Sequence, residues 1–215
     1  MRTEGKTVLL VGASGLVGSH VLTRLLAEPR VAGVIAPVRR PLARVDARLQ
    51  APLVDFDALP DTASMWAVDA VICTLGTTMA QAGSREAFRR VDFEYPLQIA
   101  ARARQHGATA FALTSAMGAD ARSRFFYNRV KGELEAALRA QGWPSLTFVR
   151  PGLIAGERSG RRPAEHLAGR VLGALGPILP RRFRASPAPR IADALVDHAL
   201  AATPGVGIVD AAALA

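Results

Sequence analysis

Two side chains that can do proton chemistry stand four positions apart in Tyr127-Asn128-Arg129-Val130-Lys131. In a helix this spacing puts the phenol and the amine on one face, one turn apart. A neighbouring ammonium favours the phenolate, and such a phenol can give or take the proton that accompanies reaction at a carbonyl or an alcohol. The spacing predicts an acid–base pair, and an ordinary surface pair is the alternative wherever no cofactor site lies nearby.

The lysine is informative because the chain avoids lysine. Of the 27 basic residues only Lys6 and Lys131 are lysines, and the rest are arginines. An arginine would therefore be the default basic residue, so a lysine at this position indicates a requirement for an amine. Tyr127 is also one of only two tyrosines.

The segment Gly12-Ala13-Ser14-Gly15-Leu16-Val17-Gly18 follows a short apolar run over 7–11 and has a glycine at every third position. Gly12 permits a tight turn, Gly15 lets the backbone approach phosphates, and Gly18 lets the next helix pack close to the sheet. The helix N terminus supplies N–H donors to an anion. The turn predicts a dinucleotide site, with a loop tightened for packing as the alternative. The residues expected to contact the pyrophosphate are Gly12, Ser14, Gly15, Leu16 and Val17.

The end of the second apolar run indicates which dinucleotide binds. A carboxylate is expected there when the ribose 2′-hydroxyl of NAD is held, but this chain has Arg39 and Arg40. Guanidinium groups bind phosphate through a planar fork, so the pair favours NADP(H) over NAD(H). Asp55 and Phe56, after the third run, are expected to flank the adenine, although an exposed position accounts for Asp55 equally well.

Short apolar runs alternate with helical patterns along the chain up to Pro151. Strands are predicted over 7–11, 31–38, 52–56, 70–75, 110–115 and 146–150, and helices over 16–27, 85–106 and 126–141. This alternation predicts an α/β fold with a doubly wound parallel sheet of the Rossmann type. Beyond Pro151, prolines interrupt the pattern, and only a helix over 191–201 and a closing strand near 207–209 are predicted.

A single domain is expected, because no repeat or linker divides the chain. It would have a core over 6–156, a small irregular C-terminal cap on the substrate side over 157–190, and a closing helix and strand over 191–215. The cap is rich in arginine; a solvated basic segment is the main interpretation, and contact with phosphate or an acidic substrate is the alternative. Only Phe183 is interleaved with these arginines and no DNA-binding motif is present, so no nucleic-acid partner is expected.

The composition excludes several classes of protein. Half of the 215 residues are hydrophobic and 21% are charged, which excludes a disordered chain. A single cysteine, Cys73, excludes a disulfide framework, and the histidines lack metal-ligand spacing, so no metal is expected. No signal-peptide or membrane-spanning pattern is present, so a cytoplasmic location without a membrane partner is expected.

The fifth predicted strand ends in Thr114-Ser115, at the sheet edge where ligands bind in such folds. Ser115 is expected to hold a substrate oxygen beside the Tyr127 hydroxyl. With the glycine turn, Tyr127-x-x-x-Lys131 and Arg150-Pro151-Gly152, this serine resembles the pattern of the atypical short-chain dehydrogenases/reductases. The stretches 73–84, 91–100, 114–135 and 149–158 resemble the branch that contains the Tat-interacting oxidoreductase-like proteins, over roughly residues 7 to 160.

The resemblance implies a catalytic triad of Ser115, Tyr127 and Lys131, with Lys131 also holding ribose hydroxyls. It implies further cofactor contacts at Leu75, Gly76, Thr77, Thr114, Pro151, Gly152, Leu153 and Ile154, and family habit implies a homodimer. The asparagine that many members place in the helix after the fourth strand is not recognisable here. Asp92 is the nearest candidate, so the resemblance does not extend to a water relay through that asparagine.

Three functions are compatible with these residues. The first is an NADP(H)-dependent oxidoreductase acting on a small carbonyl or alcohol, with Tyr127 as the acid/base. The second is an NADP(H)-binding regulatory protein that contacts a partner through the arginine-rich cap. The third is a nucleotide-sugar epimerase, but the roughly 60 residues after Pro151 are few for enclosing a nucleotide sugar.

Overall fold

The computed structural model describes residues 5–155 and 184–215. Its strands are β1 (Lys6–Val11), β2 (Val31–Ile35), β3 (Leu49–Gln50), β4 (Ala70–Cys73), β5 (Ala110–Thr114), β6 (Ser145–Arg150), β7 (Ile154–Ala155), β8 (Ser186–Pro187) and β9 (Gly205–Asp210). Its helices are α1 (Leu16–Ala27), α2 (Ala63–Trp66), α3 (Met79–Ala82), α4 (Arg85–Arg89), a π-helical turn (Arg90–Glu94), α5 (Tyr95–Gln105), α6 (Phe126–Ala140), α7 (Ala188–Ala201) and α8 (Ala211–Leu214).

Seven strands form one sheet in the order β3-β2-β1-β4-β5-β6-β9, and every neighbouring pair is parallel. The strand order reverses direction between β1 and β4, which is the switch point where ligands bind in open α/β sheets. The strands β7 and β8 form a separate parallel pair beyond the carboxyl end of β6. The predicted doubly wound parallel sheet is confirmed.

Helices cover both faces of the sheet, because successive strand residues point to opposite faces. Val8 and Leu10 of β1 belong to a core shared with α1 and α7. Leu9 and Val11 belong to a second core shared with α2, α5 and α6. Burial on both faces explains why these strands are almost continuously apolar.

Prolines shift the second and third strands from their predicted bounds. β2 ends before the predicted end at Val38, and β3 precedes the strand predicted over 52–56. Pro37 and Pro52 have no N–H to donate to a neighbouring strand. Beyond them the segments are joined only by a bridge between Val38 and Leu53. The predicted third strand is therefore wrong in its bounds.

The helix predicted over 85–106 is also interrupted, and consists of α4, the π-helical turn and α5. Pro96 accounts for the break, since it lacks the N–H that a regular helix would donate to the carbonyl group of Asp92, four residues earlier. A π turn inserts an extra residue and redirects the side chains around it. Asp92, inside this turn, is fully buried.

The other predicted elements are found within a few residues of their predicted bounds. α6 ends one residue earlier than predicted, and α7 begins at Ala188 instead of Ile191. Of the cap predicted over 157–190, the part up to 183 lies outside the described residues, and the remainder contains β8 and the start of α7. Within 5–155 and 184–215, no helix has the length and apolar character to span a membrane.

Candidate active site

The glycine turn lies between β1 and α1 and is shaped by close backbone contacts. Gly12 has a φ of +90°, and a Cβ there would lie 2.6 Å from Thr74 Oγ1. That hydroxyl donates to the Val11 carbonyl oxygen at 2.9 Å, which joins the turn to the end of β4. A Cβ at Gly18 would overlap the Gly12 carbonyl group, so α1 packs directly on the turn. The tight turn and close packing predicted for these glycines are observed.

The outer part of the turn fits a phosphate group. Ser14 and Gly15 are exposed, Gly15 caps α1 without a side-chain hydrogen bond, and the first helical turn has no acidic residue. The first N–H groups of a helix have no partner inside it. At α1 these N–H groups belong to Leu16, Val17 and the residues beside them. They form the positive end of the helix dipole, which suits pyrophosphate oxygens.

Arg39 and Arg40 follow the bridge at Val38 and are both exposed. They occupy the end of the second strand segment, beside the glycine turn in the sheet order. Two accessible guanidinium groups at this edge fit an anionic group on the adenosine ribose.

Asp55 and Phe56, predicted to flank the adenine, differ from each other in the structure. Asp55 is exposed, and its carboxylate accepts from the N–H of Asp57 at 2.9 Å. Phe56 is only 6% exposed, and its ring packs against that of Tyr95 with 5.7 Å between the centroids. The Phe56 ring therefore belongs to the core, and a contact of this segment with the adenine stays a prediction.

A buried carboxylate holds the loop that follows β4. The N–H of Thr77 donates to Asp92 Oδ2 at 2.8 Å. A Cβ at Gly76 would lie 3.5 Å from Asp92 Oδ1 and 3.9 Å from Lys131 Nζ. Leu75 is half-buried and packs against the second core. The loop over Leu75 to Thr77, predicted to line the nicotinamide-ribose side, therefore lies beside Lys131.

Lys131 and Asp92 form a buried ion pair in which Nζ and Oδ1 are 2.7 Å apart, and the two side chains are 4% and 1% exposed. Burial opposes a charged amine, but electrostatic interaction with Asp92 and Tyr127 outweighs it and raises the pKa of Lys131 above its ordinary value. The amine is thus held as an ammonium in a region closed to water.

Tyr127 lies one turn before Lys131 on α6 and is 41% exposed. Its ring meets that of Phe88 edge-on, with 5.8 Å between the centroids. Gly132 lets α6 approach the loop before it, because a Cβ there would overlap the backbone of Asp120 and Ala121. The phenol is accessible, whereas the amine one turn further along the helix is buried.

Ser115 lies just beyond β5, and its hydroxyl donates to Glu135 Oε1 at 2.6 Å. Glu135 is fully buried, and Arg150 donates to its two carboxylate oxygens at 2.9 and 2.6 Å. From the sequence, Ser115 is expected to hold a substrate oxygen beside the Tyr127 hydroxyl. In the structure its hydroxyl is bound to Glu135, which lies two turns beyond Tyr127 on α6.

The ends of β5 and β6 carry the remaining predicted cofactor contacts. Thr114 Oγ1 is buried and has no hydrogen-bond partner among residues 5–155 and 184–215. A buried hydroxyl normally has a partner, so this one fits a contact with a bound ligand. The segment from Pro151 to Ile154 lies at the same edge: the Pro151 carbonyl accepts from the Met117 N–H at 2.9 Å, Gly152 N–H donates to Ser186 Oγ at 3.2 Å, and Leu153 is exposed.

Two residues of this site were not assigned roles from the sequence. Glu135 was missed, and Asp92 was named only as the nearest candidate for the family asparagine. One signal for Glu135 was present, since Tyr127, Lys131 and Glu135 follow one another at intervals of four and therefore share a face of α6. No local pattern marks Asp92 as the partner of Lys131, because the pairing depends on packing between distant segments.

Comparison with known proteins identifies relatives over most of the chain. A family model described as NAD(P)H-binding matches residues 12–171. Protein fmp52, mitochondrial, of Emericella nidulans is 39% identical over 180 residues, which cover 80% of this chain and 76% of the relative. Protein HTATIP2 of Rattus norvegicus is 35% identical over 178 residues, which cover 81% of this chain and 73% of the relative.

Solved structures with the same fold are more distant in sequence. MoeE5 in complex with UDP-glucose and NAD has a TM-score of 0.71 and 17% identity, over 94% of this chain and 74% of that one. UDP-N-acetylglucosamine 4-epimerase from Methanobrevibacter ruminantium M1 has a TM-score of 0.70 and 15% identity, over 97% of this chain and 77% of that one. At these identities the likeness concerns the fold.

The names of the curated relatives correct one expectation. The fmp52 proteins of Emericella nidulans, Aspergillus fumigatus and Aspergillus niger are all named as mitochondrial. The cytoplasmic location expected from the sequence is therefore wrong on this comparison. The expectation rested on the lack of a recognisable targeting pattern, which is weak grounds for a location.

Proposed function

The chain belongs to the NAD(P)H-binding family, within the atypical short-chain dehydrogenases/reductases, and on this premise we propose that it is an NADP(H)-dependent oxidoreductase acting on a small carbonyl or alcohol. Tyr127 is the acid/base, and Lys131 is the cation that favours its phenolate. One observation carries the proposal: a buried ammonium paired with Asp92 stands one helical turn from an accessible phenol.

The surroundings of Lys131 suit this role. A charge withdrawn from water acts more strongly on its neighbours, because the effective dielectric constant is lower. A buried ammonium without a partner would cost several kcal/mol, roughly, and Asp92 offsets that cost. Since Lys131 stays protonated, it stabilises the phenolate electrostatically and does not itself take the proton.

Tyr127 performs the proton transfer. In the direction of reduction its Oη gives a proton to the carbonyl oxygen of the substrate, and in the direction of oxidation the phenolate takes the proton of the alcohol. Because Tyr127 is 41% exposed, the phenol can exchange that proton with solvent. A bound nicotinamide supplies or accepts the hydride.

Different residues at the carboxyl edge of the sheet would hold different parts of the dinucleotide. The turn over residues 12–17 would hold the pyrophosphate through backbone N–H groups. Arg39 and Arg40 would bind the 2′-phosphate, which is the basis for preferring NADP(H) to NAD(H). Lys131 forms an ion pair with Asp92, and the N–H groups of its ammonium would serve the ribose hydroxyls.

The test is NADPH consumption by the purified protein with a panel of small aldehydes, ketones and nucleotide sugars. Tyr127→Phe removes only the hydroxyl, so we expect turnover to fall by about 10²–10⁴-fold while NADPH still binds. Tyr95→Phe is the matched control, because that hydroxyl donates to Asp57 at 2.7 Å, away from Lys131. Consumption that persists undiminished in Tyr127→Phe would remove the assignment.

A further inference from the structure

A second buried charged side chain, Glu135, lies on the face of α6 that carries Tyr127 and Lys131, and the proposed proton transfer does not use it. Glu135 is fully buried. It accepts hydrogen bonds from Ser115 at 2.6 Å, from Arg150 at 2.9 and 2.6 Å, and from Arg139 at 3.2 Å. A buried carboxylate with this many hydrogen bonds fixes the positions of the side chains around it.

The direction of the bond between Ser115 and Glu135 follows from these partners. A carboxylate that receives two N–H groups from one guanidinium and another from a second is a hydrogen-bond acceptor only. Ser115 must therefore supply the proton of the 2.6 Å bond. A serine has a single O–H, so a hydroxyl directed to Glu135 has no proton left to offer to a substrate oxygen.

The exposure of Ser115 agrees with this direction. The residue is only 3% exposed, whereas Tyr127 is 41% exposed. Its N–H is also occupied, since it donates to the Val149 carbonyl oxygen at 2.8 Å. Ser115 is thus bound to α6 through its side chain and to β6 through its backbone.

We propose that Glu135 is a positioning residue that holds the Ser115 hydroxyl, so that Tyr127, and not Ser115, donates the hydrogen bond to the substrate oxygen. This inference rests on the proposed function. It also gives α6 two anchors on one face: Glu135 ties the helix to β5 and β6, and Lys131 ties it to the loop after β4 through Asp92. Together they set the rotation of α6 and hence the direction of Tyr127.

The first test is Ser115→Ala, which removes the hydroxyl and leaves the pair between Glu135 and Arg150 intact. We expect kcat/KM for carbonyl reduction to fall by less than about five-fold, because the removed hydroxyl makes no hydrogen bond to the substrate in the transition state. A serine that donated to the developing oxyanion would be worth about 10²–10³-fold. A loss of that size would overturn the proposal, and this variant retains the ion pair between Glu135 and Arg150.

The second test places Ser115→Ala in a Glu135→Gln background. Glutamine is a weaker acceptor and its amide can donate to Ser115, so the serine O–H becomes free to meet the substrate. We expect Ser115→Ala to cost at least about ten-fold more in kcat/KM there than in the wild type, a non-additivity that a merely structural role does not produce. Equal costs in the two backgrounds contradict the proposal.

Glu133→Gln is the matched control, because it makes the same chemical change on α6 at a carboxylate that pairs with Arg89 instead. In that background Ser115→Ala is expected to cost the same as in the wild type. If the wild type turns over no carbonyl at all, the proposed function fails. The affinity of a ketone for the NADPH-loaded variants is then measured in place of kcat/KM. A larger cost of Ser115→Ala in the Glu135→Gln background than in the wild type still supports the proposal, and equal costs still contradict it.

Discussion

Asp92 contacts Lys131 directly, with 2.7 Å between Oδ1 and Nζ, while its other oxygen accepts from the Thr77 N–H at 2.8 Å. One carboxylate thereby joins the amine of α6 to the loop that follows β4. The π-helical turn that carries Asp92 brings it into this position, and Pro96 explains why the turn forms. An ion pair therefore occupies the place at which the family resemblance implies an asparagine.

Asp92→Asn should lower both stability and turnover. The substitution keeps the shape of the side chain but leaves the Lys131 ammonium buried without a counter-charge, which costs about 3–5 kcal/mol when a buried pair is broken. We expect a reduced free energy of unfolding in urea and at least a ten-fold lower kcat. Asp61→Asn is the control: that carboxylate is also in an ion pair, with Arg102, but is 92% exposed, so its change should stay within about 0.5 kcal/mol. Equal effects of the two substitutions would contradict the role assigned to Asp92.

Replacing Arg39 and Arg40 by alanine should weaken NADPH binding much more than NADH binding. Only NADPH has a 2′-phosphate, and each charge-assisted hydrogen bond to it is worth about 1.5–3 kcal/mol. The double variant is expected to raise the Kd for NADPH by about 10²-fold or more in a fluorescence titration. Arg44→Ala serves as the comparison, because that guanidinium donates to Thr23 Oγ1 at 3.1 Å. A parallel loss of both nucleotides would count against NADP(H) preference.

Gly18→Ala should disrupt the nucleotide site, whereas Gly33→Ala should not. A Cβ at Gly18 would overlap the backbone of Gly12, so α1 must shift away from the turn at a cost of about 1–3 kcal/mol. At Gly33 the nearest atom to a Cβ, Thr7 Oγ1, is 3.8 Å away, which is ordinary contact. Thermal unfolding and NADPH titration of the two variants measure this difference. Intact NADPH binding by Gly18→Ala would show that the turn does not cradle the phosphates.

Glu28 should make the free energy of unfolding depend on pH under acidic conditions. Hydrogen bonds from Arg30 and Arg24 lower the pKa of this carboxyl from 4.5 to about 2. A carboxyl whose pKa is lower in the folded state contributes stability above pH 4.5, and this contribution is lost as the pH falls from 4.5 towards 2. Urea unfolding of the wild type and of Glu28→Gln should therefore differ at neutral pH and converge at low pH. A difference that stays constant down to pH 2 would contradict the assignment.

The sequence by itself determined the class of fold and the position of the nucleotide turn. Alternating apolar runs and helical patterns predict a parallel sheet because both depend on local periodicity. Gly12 and Gly18 were interpretable because only glycine tolerates a positive φ or a contact with neighbouring backbone. Tyr127 and Lys131 were likewise predicted to share a helix face, since four residues make about one turn. Each of these inferences uses residues close together in the chain.

Only the tertiary structure decided which partners the site residues have. Lys131 meets Asp92, Ser115 meets Glu135, and Phe56 packs on Tyr95, although none of these pairs is adjacent in the sequence. Their contacts depend on where α6 and the interrupted helix before β5 settle on the sheet, which is set by close packing of the two cores. For this reason the sequence predicted a serine hydroxyl facing the substrate, whereas packing brought that hydroxyl to a buried carboxylate.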